Sequence, residues 1–188
     1  MSSLDIVGLC GSLRAGSINR MALKLAGTAM PAGMSLEIVE LREIPMFDGD
    51  LLAQGLPASV QALRERIRRA DGVVIATPEY NFSVPGMLKN ALDWASRGDD
   101  QPFANKPLAI LSASPGPMGG ARVQYDLRKI MQFMSAMVLP KPEIFIGSAG
   151  AKFDAQGHCS DETTVKFVTS QMKAFEAWIA GVKRMNAV

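Results

Sequence analysis

Residues 4–21 read LDIVGLCGSLRAGSINRM, and the fold of the chain follows from this stretch. Its first seven residues are mostly apolar, which is typical of a buried parallel strand. A turn bearing Gly11 and Gly16 comes next, and from Ile18 onward the apolar residues repeat with helical spacing. The stretch therefore predicts a strand, a glycine-bearing turn, and a helix whose N-terminus faces that turn.

The turn over residues 11–17, here named the phosphate turn, carries groups suited to an anion. A helix N-terminus presents free N–H groups and the positive end of the helix dipole. Hydroxyl, guanidinium and amide donors surround it, supplied by Ser12, Arg14, Ser17 and Asn19. We interpret the turn as a phosphate site. The alternative is a serine-capped helix that binds no ligand.

The residues of the turn argue against two common nucleotide sites. Gly11 and Gly16 are spaced as in a Walker A loop, but Ser17-Ile18 stands where Lys-Ser/Thr is required. Leu13 occupies the second glycine position of a dinucleotide fingerprint, so that motif is missing as well. A terminal monophosphate, held by side chains as well as backbone, fits better.

Composition narrows the class of protein. A length of 188 residues suffices for a full core, and we expect one domain over residues 1–188. The net charge of +2 is too small to indicate nucleic acid or an anionic membrane as a partner. No apolar run approaches ~18 residues and the first residues lack a signal-type core, so we expect a cytoplasmic protein without membrane insertion. Two distant cysteines and a single histidine predict no metal site.

The rest of the chain alternates strands and helices. Apolar or β-branched runs predict strands over residues 36–41, 73–77, 108–112 and 137–146, each followed by a stretch of helical spacing. Prolines are expected to bend the last strand. Residues 44–57 show no regular pattern and are expected to be irregular. Arg64 belongs to a basic helix face that is expected to be solvated. Five strands and five helices predict an α/β fold: a doubly wound parallel sheet of order 2-1-3-4-5 with helices on both faces.

Three chemically unusual loops follow the strands of this sheet. They are the phosphate turn, residues 78–83 and residues 114–120. In the predicted strand order a ligand crevice lies outside the carboxyl ends of strands one and three. The position of all three loops at that crevice is the strongest argument from the residues themselves for a ligand.

Two long motifs resemble a known family. The motifs are GSLRAGSIN at 11–19 and PEYNFSVPGMLKNALDW at 78–94. Together they are similar to NADPH-dependent FMN reductases, and within that family to bacterial quinone and chromate reductases and azoreductase-like flavoproteins. The resemblance runs from the first strand to about Gly120, and it implies a flavodoxin-like fold.

The resemblance implies FMN as cofactor and NADPH or NADH as co-substrate. The implied phosphate ligands are Ser12, Arg14, Ser17 and Asn19; the residues lining the isoalloxazine ring are Pro78, Glu79, Tyr80 and Asn81; and those flanking it are Ser114 and Gly116. Hydride would pass from nicotinamide to flavin N5 and then to a quinone or similar small-molecule acceptor, with chromate, azo compounds and free flavin as further candidates. Because the flavin carries the chemistry, no catalytic side chain is expected.

The resemblance also implies a homodimer or homotetramer, and one open flavin face that serves donor and acceptor in turn. Trp94 is expected to be ordinary packing, unlike Tyr80. Two other classes stay open: an FMN electron carrier like flavodoxin that does not turn over NADPH, and a nucleotide-binding regulatory module. A slightly basic chain with Arg14 in its phosphate turn disfavours the carrier, and the tyrosine loop would have no purpose in the regulatory module.

Overall fold

The computed structural model describes residues 3–187. Met1, Ser2 and Val188, which belong to the domain expected over 1–188, lie outside the described residues. The strands are β1 (Leu4–Cys10), β2 (Met34–Val39), β3 (Gly72–Thr77), β4 (Pro107–Ala113), β5 (Met137–Val138) and β6 (Ile144–Ile146). The helices are α1 (Ile18–Thr28), α2 (Gly49–Ala53), α3 (Ala58–Arg69), α4 (Gly86–Ala95), α5 (Ala121–Phe133) and α6 (Glu162–Asn186), with a 3-10 turn at Ala149–Ala151.

The strands form a parallel sheet in the order β2-β1-β3-β4-β5, which confirms the predicted order. Every residue of β3 and β4 is buried, because helices cover both faces. On one face Leu23 of α1 and Phe175 of α6 pack against the sheet. On the other face Ile67, Leu92 and Leu127 bring in α3, α4 and α5. The doubly wound, flavodoxin-like architecture is therefore present.

The fifth strand differs from the prediction. A single bent strand was expected over 137–146, but the segment forms two short strands that both pair with β4. β5 lies beside the start of β4, at Pro107 and Leu108, and β6 lies beside its end. Pro140 and Pro142 separate the two strands, and since proline has no backbone N–H it cannot donate to a strand ladder.

Two smaller predictions were wrong. Within residues 44–57, expected to be irregular, Asp48 caps the short helix α2 by accepting a hydrogen bond from the Asp50 backbone at 2.8 Å. Arg64 is buried rather than solvated. Its guanidinium donates to the Ala95 carbonyl and pairs with Asp100, so it ties α3 to the segment after α4. Trp94 is fully buried and donates to the Pro45 carbonyl, which agrees with the expected packing role.

None of the helices within residues 3–187 has both the length and the apolar composition needed to cross a membrane.

Candidate functional site

Three strands end together at one edge of the sheet. Cys10 of β1 lies beside Ala76 of β3, and Thr77 lies beside Ser112 of β4. The phosphate turn, the segment 78–83 (the hairpin) and the segment 114–120 (the β4 loop) all leave the sheet at this edge. The structure therefore brings the three predicted loops to one edge of the sheet, which is called the crevice from here on.

Gly11 lets the phosphate turn pass directly against β3. Its N–H donates to the Ala76 carbonyl at 2.8 Å. A Cβ added at Gly11 would lie 2.2 Å from Thr77 Oγ1, a separation that no side chain tolerates. Gly16, by contrast, has open space around it. The first glycine of the turn is needed for close approach, and the second is not.

The phosphate turn presents donors to the crevice. Ser17 caps α1, its Oγ accepting from the Arg20 N–H at 3.3 Å, and Ser12 Oγ accepts from the Arg14 N–H at 3.4 Å. The first N–H groups of a helix have no intrahelical acceptor, so those of Ile18 and Asn19, which Ser17 does not cap, remain for a ligand. The first turn of α1, all of it described, contains no acidic residue. Hydroxyls, free N–H groups and the exposed Arg14 guanidinium make a donor set that fits a phosphate.

Two further arginines act on this turn. Arg42 donates to the Leu13 carbonyl at 2.6 Å and so braces the turn from outside. Arg20, at the start of α1, pairs with Glu40, the residue directly after β2. The charge of Arg20 is offset by Glu40, so Arg14 and Arg42 are the cationic groups of this turn that favour an anion.

Asn19 has a role that the sequence did not indicate. It is only 3% exposed, its amide donates to the Ala113 carbonyl at 2.9 Å, and it accepts from the Ala113 N–H at 2.9 Å. These contacts join the first turn of α1 to the last residue of β4. One N–H of the amide is left for a further acceptor.

Cys10 lies beneath the phosphate turn. Its Sγ is 3.8 Å from Ser17 Oγ, and burial raises the pKa of the thiol above its ordinary value. At neutral pH it is a protonated thiol that packs among apolar residues, in keeping with its expected role as a small hydrophobe.

The hairpin is closed by two backbone hydrogen bonds between Tyr80 and Ser83, at 3.1 and 2.9 Å. Its central residues, Asn81 and Phe82, have φ of 50° and 66°. Two positive φ angles in succession define the tight hairpin turn that usually carries Asn-Gly. Asn81 suits its position, whereas a bulky side chain at positive φ is a genuine outlier. Tyr80 and Phe82 are both exposed, and Pro78, half-buried, connects the hairpin to β3.

Glu79 anchors the hairpin to α5. Its carboxylate accepts from the backbone N–H groups of Arg122 and Val123, at 3.0 and 3.3 Å, and from the Arg122 guanidinium at 3.1 Å. The cap residue of α5, Gly120, has no side chain to do this. The Glu79 carboxylate is thus committed to α5.

Phe82 and Arg122 were missed by the sequence analysis as functional candidates. The Arg122 guanidinium carbon lies 4.4 Å from the centre of the Phe82 ring. Nearby, hydrogen bonds from Lys129 and Ser83 lower the pKa of Asp126. Phe82 is part of the motif at 78–94, but nothing in the sequence distinguishes it from the other residues of that loop. Arg122 shows only a positive charge near the start of a predicted helix.

The β4 loop is held by β6 and by the segment that follows it. The Ser114 N–H donates to the Ile146 carbonyl at 3.0 Å, and the Gly116 carbonyl accepts from the Ser148 N–H at 3.0 Å. Within the loop, Ser114 Oγ donates to the Gly116 carbonyl at 3.1 Å. A Cβ added at Gly119 would lie 2.6 Å from the Phe145 carbonyl carbon, so the two segments pack in direct backbone contact. Ser114 and Gly116 therefore lie on a fixed loop at the sheet edge where β1 and β3 also end.

Other features lie outside the crevice. A cavity of about 230 Å³ between β6 and the start of α6 is lined by residues such as Phe145, Lys152 and Phe167 and includes none of the predicted site residues. Among residues 3–187, no three His, Cys, Asp or Glu side chains are grouped so as to hold a metal ion.

Comparison with known proteins agrees with the motifs. The family described as NADPH-dependent FMN reductase matches residues 4–151. The chain is 49% identical over 183 residues to a quinone reductase of Escherichia coli, covering 96% of this chain and 97% of the relative. It is 46% identical over 176 residues to an NAD(P)H-dependent FMN reductase of Pseudomonas aeruginosa, covering 94% and 95%. The similarity thus extends past Gly120, where the resemblance read from the sequence ended.

Solved structures show the same likeness. The flavoenzyme NAD(P)H:(acceptor) oxidoreductase FerB of Paracoccus denitrificans is 33% identical and superposes with a TM-score of 0.87, covering 95% of this chain and 98% of that chain.

Proposed function

The chain belongs to the NADPH-dependent FMN reductase family, whose members are oxidoreductases that use FMN and NAD(P)H, and from that premise we propose that its three crevice loops hold FMN and that its acceptor is a quinone. The observation that carries the proposal is the meeting of the phosphate turn and the hairpin at one sheet edge, with the β4 loop beside them. In open α/β sheets that edge is where ligands bind. The named quinone reductases among the relatives support the acceptor class.

In this proposal the phosphate turn binds the terminal phosphate of FMN. Ser12 and Ser17 offer hydroxyls, the first turn of α1 offers N–H groups, and Arg14 offers a planar fork to the dianion. Asn19 contributes chiefly by joining α1 to β4, with its remaining N–H available to the phosphate.

In this proposal the hairpin and the β4 loop bind the isoalloxazine ring. Pro78, Glu79, Tyr80 and Asn81 line it mainly through backbone groups, and Ser114 and Gly116 flank it. Because the Glu79 carboxylate accepts hydrogen bonds from the first N–H groups of α5, the hairpin is fixed in position. Its own backbone groups are therefore presented to the ring from a fixed position. Fixed donors are what a bound ring needs if its electronics are to be tuned by the protein.

FMN, when bound, supplies two-electron chemistry: NADPH gives up a hydride, and a quinone gains that hydride's two electrons and proton plus one proton from solvent, leaving as hydroquinone. The chain's own residues bind and orient the cofactor and the two substrates, and no side chain of the three loops has to act as acid or base. With no second nucleotide fingerprint in the sequence, donor and acceptor would occupy the same open space in turn. Chromate, azo compounds and free flavin are alternative acceptors for that space.

Spectroscopy tests the proposal directly. The purified protein should show FMN absorbance, and anaerobic NADPH or NADH should bleach it with one equivalent of oxidised nicotinamide released before any quinone is added. If neither nucleotide bleached bound FMN, the reductase assignment would fail and an electron carrier would take its place. Parallel double-reciprocal plots are expected for alternate occupancy, and intersecting lines would contradict that part alone.

We also propose that the protein is a homodimer or homotetramer, as the resemblance implies. Tyr125 and Phe133 on α5 are both largely exposed, which supports a protein contact there. Sedimentation equilibrium at a mass of 20.2 kDa, the mass of one chain, would contradict this.

A further inference from the structure

Phe82 has no structural reason to be phenylalanine. It stands at the tip of the hairpin with 68% of its surface exposed, so its ring adds little to the core. Its φ of 66° lies in the left-handed region, which glycine and asparagine tolerate and a bulky residue rarely adopts. Glycine or asparagine would close the same turn without strain. Strained residues persist where function needs them, and this one is on a crevice loop.

The ring is nevertheless held in place from one side. The Arg122 guanidinium lies over it at 4.4 Å from the ring centre, within the range of a cation–π contact. Arg122 in turn is fixed by Glu79, which also bonds the backbone at the start of α5. A chain of polar contacts, rather than packing, therefore sets the orientation of Phe82. Its exposure leaves the rest of the ring available to a ligand.

We propose that Phe82 is an acceptor-contact residue, whose exposed ring stacks on the planar ring of a quinone as it enters the crevice. The proposal rests on the proposed function, which supplies the quinone and the crevice. Offset stacking of two rings is favourable beyond the area that it buries. A compact acceptor without an aromatic plane, such as ferricyanide, gains nothing from that contact. Phe82 is thus a determinant of acceptor preference.

Steady-state kinetics of the holoenzyme with two acceptors test this. Phe82→Ala should lower kcat/KM for 1,4-naphthoquinone by roughly 3- to 10-fold relative to kcat/KM for ferricyanide, as the loss of one stacking contact predicts. Phe82→Tyr keeps the ring and should restore the preference. Phe167→Ala is the matched control, since this phenylalanine is 58% exposed but lies on α6, outside the three crevice loops.

A binding measurement separates contact from turnover. Calorimetric titration of oxidised holoprotein with 1,4-naphthoquinone, without nucleotide, should show a weaker Kd for Phe82→Ala and a wild-type Kd for Phe82→Tyr. Equal losses for both acceptors, or an unchanged naphthoquinone Kd, would overturn the assignment of Phe82. Failure of NADPH to bleach the wild-type FMN would instead overturn the proposed function, so the two failures are distinguishable.

The strain has its own readout. Phe82→Gly and Phe82→Ala both lack the ring, but only glycine adopts positive φ freely. The apoprotein of Phe82→Gly should unfold about 2–4 °C above that of Phe82→Ala in a thermal melt. Equal melting temperatures would show that the hairpin backbone is unstrained, and would remove that argument for a functional Phe82.

Discussion

Replacing Asn19 by alanine should destabilise the protein even before FMN is considered. The side chain exchanges two hydrogen bonds of 2.9 Å with the backbone of Ala113 in a site that is 3% exposed. Alanine would leave the buried N–H and the buried carbonyl of Ala113 without these hydrogen bonds, at a cost of roughly 1–3 kcal/mol for each group. We therefore expect the unfolding free energy of the apoprotein to fall by roughly 2–6 kcal/mol, a large part of the ~5–15 kcal/mol of an ordinary domain.

Asn19→Asp refines the test. It keeps an acceptor for the Ala113 N–H but sets a carboxylate against the Ala113 carbonyl. Burial and that carbonyl should raise the native-state pKa of the new carboxyl above its unfolded value, so the native state binds the extra proton. The deficit of Asn19→Asp should therefore shrink as the pH falls from 7 towards 4, whereas the deficit of Asn19→Ala should not follow that course.

Urea unfolding of the FMN-free proteins, followed by circular dichroism, measures these differences. Fluorescence titration of the same proteins gives the dissociation constant of FMN. If Asn19 served only to bind phosphate, the apoprotein would be as stable as wild type and only FMN affinity would fall. An apoprotein within about 0.5 kcal/mol of wild type, the range of surface substitutions, would refute the tie between α1 and β4.

Three further outcomes follow from the crevice. Gly11→Ala should weaken FMN binding and lower the melting temperature, because overpacking costs about 1–3 kcal/mol, whereas Gly16→Ala has open space and should do neither. Arg14→Ala should raise the Kd of FMN roughly tenfold or more through loss of a charge-assisted contact, with apoprotein stability unchanged; wild-type affinity would misplace the site. Disulfide exchange with a coloured thiol reagent should modify Cys159 in the folded protein, while Cys10 stays protected near neutral pH because burial raises its pKa; equal rates would contradict this.

Strand order was predictable because the central strands are continuous runs of apolar or β-branched residues, which indicate burial on both faces. β3 reads GVVIAT and is buried at every position, and short apolar runs alternating with helical spacing leave few topologies. The split of β5 from β6 was not predictable from the same signal, because apolar residues lie on both sides of the prolines. α2 escaped notice since it depends on the Asp48 cap and has no buried residue.

The crevice loops were predictable from local chemistry, but the contacts that fix them were not. Arg64 belongs to a basic run, and only the fold brings Asp100 and the end of α4 to its guanidinium. Asn19 meets Ala113 across 94 residues, and Glu79 meets Arg122 across 43. Separations of that size leave no trace in periodicity or spacing.

The two motifs therefore contain two kinds of residue that a sequence cannot distinguish. Arg14 and Tyr80 are exposed and open to a ligand, whereas the polar atoms of Asn19 and Glu79 are largely bonded to protein backbone. Loss of a ligand contact changes FMN affinity alone, because the apoprotein never had that contact. Loss of a backbone contact changes apoprotein stability and affinity together, since binding can only act on a crevice that is already assembled. Along each motif, substitutions of residues that are hydrogen-bonded to the protein backbone should therefore lower both apoprotein stability and FMN affinity. Substitutions of the other residues should lower FMN affinity alone, whatever their distance from the phosphate turn.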